Sequence, residues 1–409
     1  MSPHIFVDRE NRFGAQNYTP LPVVLSHGRG AHLFDVAGRR YIDMMSAYSA
    51  ASFGHLHPRL VGAMHRQLER LDIVSRAFHS DNLGAFYEEL AKLAGLDACL
   101  VMNSGAEAVE TAIKAARRYG YDELAIPADK AEIIVAAGNF HGRTTTIIGF
   151  SDDPASRRGF GPFAPGFATA AFGDAEAMEA SITRHTAAIL VEPIQGEAGV
   201  IVPPKGYLAG LRRICDRHGI LLLLDEVQSG FGRTGRNFCF EHEDAKPDGL
   251  IVGKALGGGL MPVSAFIARR SLMDVFNPGS HGSTFGGNPL AAAVGREAIA
   301  LLRDENLAER SRILGEVLLQ ALRAINHPAI IEVRGKGLWA GIELDSQLVK
   351  AKDVCLALMR RGVLAKETHE SVLRLAPPLV IAEDDLLEAV AAFRAALDDC
   401  ATPSARYAG

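Results

Sequence analysis

The stretches Ile220-Leu221-Leu222-Leu223-Leu224-Asp225 and Leu250-Ile251-Val252-Gly253-Lys254 decide the fold of this chain. Each begins with a short, continuous apolar run, the pattern of a strand that is buried on both faces of a parallel sheet. The first run leads directly into Asp225, and the second leads through Gly253 into Lys254. Because open α/β sheets bind ligands at the carboxyl ends of their strands, these two charges predict a functional site at that edge.

The middle of the chain repeats this alternation of short strands and helical patterns, which predicts an α/β fold with a mostly parallel sheet. The predicted strands are residues 132–136, 187–191, 220–224, 250–252 and 265–268. Helices are predicted at 106–119 and 207–218, and Gly219 is expected to cap the second one. We expect residues 46–306 to form a large domain, and residues 1–45 together with 307–409 to form a smaller α+β domain.

Composition restricts the class of protein. A hydrophobic share of 48% with 22% charged residues is the balance of a globular protein with a large core. The net charge of −5 argues against nucleic acid or an anionic membrane as the main partner. No apolar run reaches the ~18–20 residues that span a bilayer, and residues 1–18 lack the apolar segment of a secretory signal. The five scattered cysteines include no Cys-x-x-Cys pair, which favours free thiols in the cytoplasm.

A lysine and a carboxylate at the ends of strands are what a pyridoxal 5'-phosphate enzyme requires. The lysine amine bonds to the cofactor aldehyde, and the carboxylate keeps the pyridine nitrogen protonated so that the ring accepts electrons. A charge at the end of an all-leucine strand is costly without a cationic partner. This cost argues against a purely structural role for Asp225.

Two further segments supply candidates for the phosphate and the ring of this cofactor. Ser104, Gly105 and Ala106 begin a predicted helix, where backbone N–H groups can bind an anion; alternatively, Ser104 only caps the helix. Phe140 follows a predicted strand and is placed to stack on the pyridine ring, or alternatively it packs in the core. Gln228, just beyond the all-leucine strand, is placed to reach the ring hydroxyl.

Other polar residues at strand ends are candidates for substrate binding. Arg143 can bind a carboxylate through a bidentate pair, or alternatively it is a solvated surface charge. Glu192 and Glu197 both follow a predicted strand. We expect one of them to be structural and the other to face substrate. Thr284 lies in a polar loop and has a hydroxyl that can bind phosphate, although on sequence alone it is only a loop threonine.

Two sequence patterns could suggest a metal site or a P-loop, but neither is complete. His55 and His57 invite a metal interpretation, but no third ligand accompanies them, so we expect no metal. A helix that begins at Pro58 is the simpler explanation of this segment. The glycine run at 257–259 is not a phosphate-binding P-loop, because Lys254 precedes it and no lysine follows it.

These residues and motifs resemble the class III aminotransferases among the fold-type-I pyridoxal phosphate enzymes, and within them the ornithine aminotransferases. The resemblance runs nearly end to end, from GAQNY at 14–18 to RLAPPL at 374–379. Its most specific motifs are EPIQGEAGV at 192–200, HGSTFGGNP at 281–289 and VRGKGL at 333–338.

The resemblance implies how the cofactor is held. Lys254 would bond to pyridoxal 5'-phosphate, and Asp225 would pair with the pyridine nitrogen. The other implied cofactor-binding residues are Ser104, Gly105, Ala106, Phe140, His141, Gln228, Ser283 and Thr284. Since Thr284 would complete the phosphate site of the other subunit, the resemblance also implies a homodimer with its active sites at the subunit interface.

The resemblance implies a substrate site as well. Arg143 and Tyr18 would hold the α-carboxylate and α-amino group of L-ornithine, and Tyr48 would favour ornithine over γ-aminobutyrate or acetylated amines. Glu197 and Arg374 match an ion pair that acts as a gate between L-ornithine and the second substrate, 2-oxoglutarate. The implied reaction transfers the δ-amino group of ornithine to 2-oxoglutarate, giving glutamate 5-semialdehyde and L-glutamate.

Alternatives remain at this stage. His141 stands where ornithine enzymes can carry tryptophan, which leaves open another class III aminotransferase, for acetylornithine, diaminobutyrate or γ-aminobutyrate. A catalytically silent binding protein of the same fold is a second alternative, although the presence of Lys254, Asp225 and Arg143 argues against it. An NAD-binding Rossmann protein is not supported, because no Gly-x-Gly-x-x-Gly follows the early strands.

Overall fold

The computed structural model describes residues 3–401, and its largest element is a seven-stranded sheet. The strands in chain order are β1 Leu25–Arg29, β2 His32–Asp35, β3 Arg40–Asp43, β4 Ala98–Met102, β5 Glu132–Ala136, β6 Phe167–Ala170, β7 Thr186–Val191, β8 Leu221–Asp225, β9 Gly249–Val252, β10 Ser264–Ala268, β11 Ile330–Gly335, β12 Ala340–Leu344, β13 Val363–Leu364, β14 Lys366–Thr368 and β15 Val372–Leu375.

Helices lie between most of these strands and at both ends of the described chain. In chain order they are α1 Pro3–Phe13, α2 Ser46–Ser49, α3 Pro58–Leu68, α4 Leu83–Ala94, α5 Gly105–Asp122, α6 Thr145–Gly149, α7 Pro154–Arg157, α8 Ala175–Ala180, α9 Tyr207–His218, α10 Arg270–Met273, α11 Pro289–Asp304, α12 Leu307–Arg323, α13 Ala351–Arg360 and α14 Glu383–Cys400. Within residues 3–401, none of them combines the length and apolar character needed to cross a membrane.

The large sheet has the order β4-β10-β9-β8-β7-β5-β6. Its strands β6, β5, β7, β8 and β9 run parallel, whereas β10 and β4 are antiparallel to their neighbours. The predicted α/β class with a mostly parallel sheet is therefore confirmed, and the five predicted strands lie within one residue of β5, β7, β8, β9 and β10.

Burial explains why the central strands are continuous apolar runs. All residues of β8 and β9 are buried, since helices cover both faces of the sheet. The helix predicted at 207–218 matches α9, and Gly219 caps it in the left-handed conformation, with φ of 65°. Helix α5 begins one residue before the predicted 106–119 and extends to Asp122.

Two small sheets lie beside the large one, with the orders β1-β2-β3-β13 and β11-β12-β15-β14. Strand β3 pairs in parallel with β13, so the N-terminal strands and a C-terminal strand share one sheet. Asn306, with φ of 52°, separates α11 from α12 near the expected boundary at 306/307. The division of the chain into two domains stays a prediction.

Candidate active site

The ends of β8 and β9 bring Asp225 and Lys254 to one edge of the large sheet. Asp225 is in register with Ile251 of β9, and Lys254 follows shortly after that strand ends. Both residues line a cavity of about 200 Å³. Lys254 has φ of 44°, a left-handed backbone that non-glycine residues seldom adopt and that is common at functional sites.

The surroundings of Lys254 make its amine easier to deprotonate. Burial lowers the pKa of Lys254 below its usual value, and the nearby carboxylates of Glu197, Asp225 and Glu192 oppose this effect without cancelling it. An uncharged amine is the form that attacks an aldehyde or accepts a proton. The lysine is therefore suited to nucleophilic and general-base chemistry.

Asp225 is held by a buried histidine. Its Oδ1 accepts a hydrogen bond from the backbone N–H of Val227 at 3.0 Å, and its Oδ2 accepts one from Nδ1 of His141 at 2.7 Å. Burial would lower the pKa of His141, but the hydrogen bond and negative charge of Asp225 raise it above the usual value. His141 thus supplies the hydrogen-bonding partner that a buried carboxylate requires, and the carboxylate in turn favours the protonated form of His141.

The first turn of α5 forms another wall of the cavity, through Gly105 and Ala106. The alternative interpretation of Ser104 as a helix cap is confirmed: its Oγ accepts a hydrogen bond from the Glu107 N–H at 3.2 Å and donates one to Glu107 Oε2 at 3.1 Å. The N–H groups of Gly105 and Ala106 belong to the first turn, where no intrahelical acceptor exists. They are available to an anion, while the binding of phosphate by the Ser104 hydroxyl stays a prediction.

The cavity between these walls is lined by Phe140 and Gln228, as predicted, and also by Val227. Val227 was missed by sequence reasoning, because it lies in the turn after β8, where strand alternation no longer indicates which way a side chain points. An aromatic ring, a helix N-terminus, a carboxylate and a lysine around one cavity fit the donor set of pyridoxal 5'-phosphate.

A glycine allows the wall carrying Phe140 to approach the helix. Gly142 has φ of 132°, and a Cβ atom at this position would lie 2.8 Å from the Cβ of Ala106. Any other residue would push the 138–143 loop away from α5. The narrow cradle at the helix start therefore depends on Gly142.

The two glutamates after β7 have different roles in the structure. Glu192 is buried, and its two oxygens accept hydrogen bonds from the N–H groups of Phe140 at 2.9 Å and Gly196 at 3.4 Å. Burial raises the pKa of Glu192 to about 7. It joins the two loops of the site, whereas Glu197 borders a second cavity of about 500 Å³ that also contains Arg143.

Glu197 and Arg374 form the ion pair that the resemblance implies. Oε1 of Glu197 lies 2.9 Å from Nη1 of Arg374, which also donates to the carbonyl oxygen of Gly196 at 3.2 Å. Burial would raise the pKa of Glu197, but the charge of Arg374 and its hydrogen bond hold it below the usual value. The guanidinium of Arg374 lies 5.0 Å from the ring centroid of Tyr48. The structure therefore brings Tyr48, Glu197 and Arg374 together.

Tyr48 lies in a left-handed turn that the sequence did not predict. The four residues of α2 have φ of 42°, 47°, 57° and 73°, and none of them is glycine. The turn is held at its start by Asp43, whose Oδ1 accepts hydrogen bonds from the N–H groups of Met45 and Ser46 at 2.8 and 2.9 Å. The hydroxyl of Ser46 donates to the carbonyl oxygen of Ala376 at 2.6 Å.

Tyr18, Ser283 and Thr284 are among the predicted site residues that do not line the cavity around Lys254. Tyr18 is 74% exposed. The pKa of Tyr48 is raised mainly by burial, and Tyr18 is close enough to add to this effect. Thr284 is exposed. Ser283 accepts a hydrogen bond from Nδ2 of Asn103 at 2.8 Å, just before the start of α5. The roles of these three residues stay predictions.

The histidines before α3 pair with carboxylates. His55 Nε2 lies 2.7 Å from Asp43 Oδ2, and His57 Nε2 lies 3.3 Å from Glu305 Oε1. Helix α3 begins at Pro58, and the ring of His57 accepts a hydrogen bond from a backbone N–H of its first turn. The predicted helix start is confirmed.

Comparison with known proteins gives one consistent family. The model of the class-III aminotransferases matches residues 13–397. Ornithine aminotransferase 2 of Staphylococcus saprophyticus is 51% identical over 380 residues, which are 93% of this chain and 95% of that protein.

Solved structures agree with the sequence comparison. An ornithine aminotransferase from Toxoplasma gondii, described with pyridoxal phosphate at partial occupancy in its active site, has a TM-score of 0.96 at 41% identity, covering 98% of this chain and 95% of that one. An acetylornithine aminotransferase from Elizabethkingia anophelis has a TM-score of 0.88 at 42% identity, covering 98% and 100% of the two chains.

Proposed function

We propose, from the premise that this chain belongs to the class III aminotransferases, that it is an ornithine aminotransferase with pyridoxal 5'-phosphate as its cofactor. It transfers the δ-amino group of L-ornithine to 2-oxoglutarate and releases L-glutamate and glutamate 5-semialdehyde, which cyclises. The observation that carries this proposal is the Glu197–Arg374 ion pair beside the Lys254 cavity. An enzyme that alternates between a diamine and a dicarboxylate needs an arginine that can be neutralised in one half-reaction and used in the other.

The residues around the cavity divide the work of holding the cofactor. When bound, pyridoxal 5'-phosphate supplies a reactive aldehyde and an electron-withdrawing ring. Lys254 would hold its aldehyde and would carry a proton on its amine, while Asp225 would keep the ring nitrogen protonated and His141 holds Asp225 in place. The remaining proposed ligands bind the ring or the phosphate: Ser104, Gly105, Ala106, Phe140, Gln228, Ser283 and Thr284.

Ornithine binding follows from the positions of the charged groups. Arg143 borders the wider cavity and binds the α-carboxylate, with the α-amino group held at Tyr18. The δ-amine then extends toward Lys254, along the wall that Tyr48 forms. Glu197 keeps Arg374 neutralised, so that the α-carboxylate has no competing arginine near Lys254.

The second substrate carries two carboxylates and uses both arginines. Arg374 lies near enough to Lys254 to influence the pKa of the lysine, together with Glu197. Arg374 is therefore placed to bind the carboxylate next to the reacting keto carbon of 2-oxoglutarate, once Glu197 releases it. Arg143 binds the far carboxylate, as it does for ornithine.

We further propose that the chain acts as a homodimer in the cytoplasm. Thr284 is exposed, and its neighbour Phe285 is 57% exposed, which supports a loop that inserts into a second copy. All five cysteines are free thiols, which supports a reducing compartment.

Half-reaction spectroscopy tests the proposed function. L-ornithine added to the yellow holoenzyme should bleach the visible band of the cofactor, and 2-oxoglutarate should restore it. The same measurement with N-acetylornithine, diaminobutyrate and γ-aminobutyrate tests the neighbouring specificities. A faster reaction with N-acetylornithine than with L-ornithine would show that N-acetylornithine is the substrate. A purified protein with no visible band would indicate a binding protein rather than an enzyme.

A further inference from the structure

Trp339, the single tryptophan of the chain, has an indole N–H with no assigned role. It lies between β11 and β12, is fully buried, and packs with Ile194, Val200, Cys239 and Ala376. Its Nε1 has no hydrogen-bond partner among the residues that the structure describes. Because buried N–H groups in native proteins nearly always have a partner, this donor suggests a ligand.

The indole ring of Trp339 adjoins the loop that carries Glu197. A Cβ atom added to Gly196 would lie 2.9 Å from Cζ2 of Trp339, and Cζ2 is bonded to the ring carbon that carries Nε1. The carbonyl oxygen of the same Gly196 accepts the hydrogen bond from Nη1 of Arg374. Trp339 and Arg374 therefore both lie next to Gly196, the residue directly before Glu197.

A small cavity joins these side chains. It measures about 10 Å³, about the space of one water-sized atom. Its lining comprises Met45, Tyr48, Gln228, Trp339, Lys366, Arg374 and Ala376. Lys366 pairs with Glu367 at 2.6 Å, whereas Nε of Arg374, like Nε1 of Trp339, is buried without a protein acceptor in the described residues. Two residues that line this space thus each carry a buried donor without a partner, and a carboxylate oxygen can accept hydrogen bonds from more than one donor.

We propose that Trp339 donates a hydrogen bond from Nε1 to the substrate carboxylate that binds Arg374. This inference rests on the proposed function, because it requires that Glu197 release Arg374 when 2-oxoglutarate or L-glutamate binds. Ornithine has no carboxylate next to its δ-carbon, so the indole N–H acts in one half-reaction only. Trp339 is thus a specificity-determining residue for the dicarboxylate substrate.

The test compares both half-reactions in Trp339→Phe, which keeps an aromatic ring and removes the N–H. The KM for 2-oxoglutarate, and that for L-glutamate in the reverse half-reaction, should rise about tenfold, the usual effect of losing a hydrogen bond to a charged group. The ornithine half-reaction of the same variant should lose much less, because ornithine has no carboxylate for this N–H to bind. Equal losses with both substrates, or no loss with either, would overturn the proposal and leave the ring a packing role.

Two additional measurements separate the possible failures. The glutamate half-reaction needs no ornithine, so a wild type that reacts with glutamate and not with ornithine rejects the proposed function, while the variant still tests Trp339. If Trp339→Phe does not fold, the fluorescence of Trp339 in the wild-type holoenzyme can be titrated with glutarate, an unreactive dicarboxylate. A saturable change is expected, and an unchanged spectrum at saturating inhibition would contradict the contact.

Discussion

The two sides of the active-site cavity are built in different ways. The cofactor side, formed by Gly105, Asp225 and Lys254, lies at the ends of regular strands and at the start of a regular helix. On the substrate side Arg374 lies on strand β15, but Tyr48 depends on a turn of four successive left-handed residues. The cofactor side is held in place by apolar strands that are buried on both faces. The substrate side is held by hydrogen bonds between segments that are distant in the chain.

A single buried arginine contributes most of these distant bonds. Nη1 of Arg233 donates to the carbonyl oxygens of Leu338 at 2.9 Å and Pro377 at 2.6 Å, and its Nη2 donates to the hydroxyls of Ser46 at 3.2 Å and Ser52 at 2.8 Å. Burial lowers the pKa of Arg233 to about 9. Strain of about 1–3 kcal/mol per left-handed residue persists only where the surroundings over-determine it, and this guanidinium is a large part of those surroundings.

The largest expected effect comes from the cofactor side. Lys254→Ala should reduce turnover about 10⁴-fold or more, because it removes both the covalent attachment and the proton-transferring amine. The fold should be unaffected, since the lysine follows β9 rather than packing within it. Steady-state rates and circular dichroism check both statements, with Lys246→Ala, an exposed lysine just before β9, as the matched control. Repeated turnover at the wild-type rate would reject this role for Lys254.

On the substrate side, Glu197→Ala should alter selectivity more than rate. Without its partner, Arg374 is free to bind the carboxylate of ornithine, so that the α-amine approaches Lys254 in place of the δ-amine. The δ-to-α product ratio should fall about tenfold or more, the scale of a charged hydrogen bond. Product analysis by NMR measures the ratio, and an unchanged preference would show that the ion pair is not a gate.

The link between His141 and Asp225 should give a pH-dependent stability. The folded-state pKa of His141 is raised above 6.5, so the pair contributes stability that is fully present below that pH and is lost as the pH rises through the folded value. His141→Phe should therefore cost about 2 kcal/mol in acid and less in base. Thermal unfolding of the wild type and of His141→Phe from about pH 6 to about pH 9 measures how their difference in stability changes with pH. A difference in stability that does not change with pH would contradict this prediction.

The smallest effect concerns the strained turn itself, and two alanines provide matched probes. Ala47 has φ of 47°, whereas Ala50 has φ of −71°. Ala47→Gly should stabilise the protein by about 0.5–1 kcal/mol, because glycine removes the left-handed strain, although it gains freedom in the unfolded chain. Ala50→Gly should destabilise it by about the same amount. Denaturant unfolding that gives both changes the same sign would show that the turn is not strained.

These differences also decide how much could be predicted from the sequence. The strands and Lys254 were predictable because apolar runs and a charge at their ends are local patterns. The turn at Tyr48 was not, since it contains no glycine and its conformation depends on Ala376 and Arg233 far away in the chain. The position of Glu197 and Arg374 came from the family resemblance, and the free N–H of Trp339 has no signature in a sequence.

The parallel pairing of β3 with β13 has a consequence for biosynthesis. Ile42 leaves the ribosome long before its partner Val363 is made. The large sheet, whose strands all lie between residues 98 and 268, can form while the chain is still growing. The substrate side, which needs both Tyr48 and Arg374, is completed after the cofactor side. A nascent or truncated chain can therefore form the cofactor side before it can select its substrate.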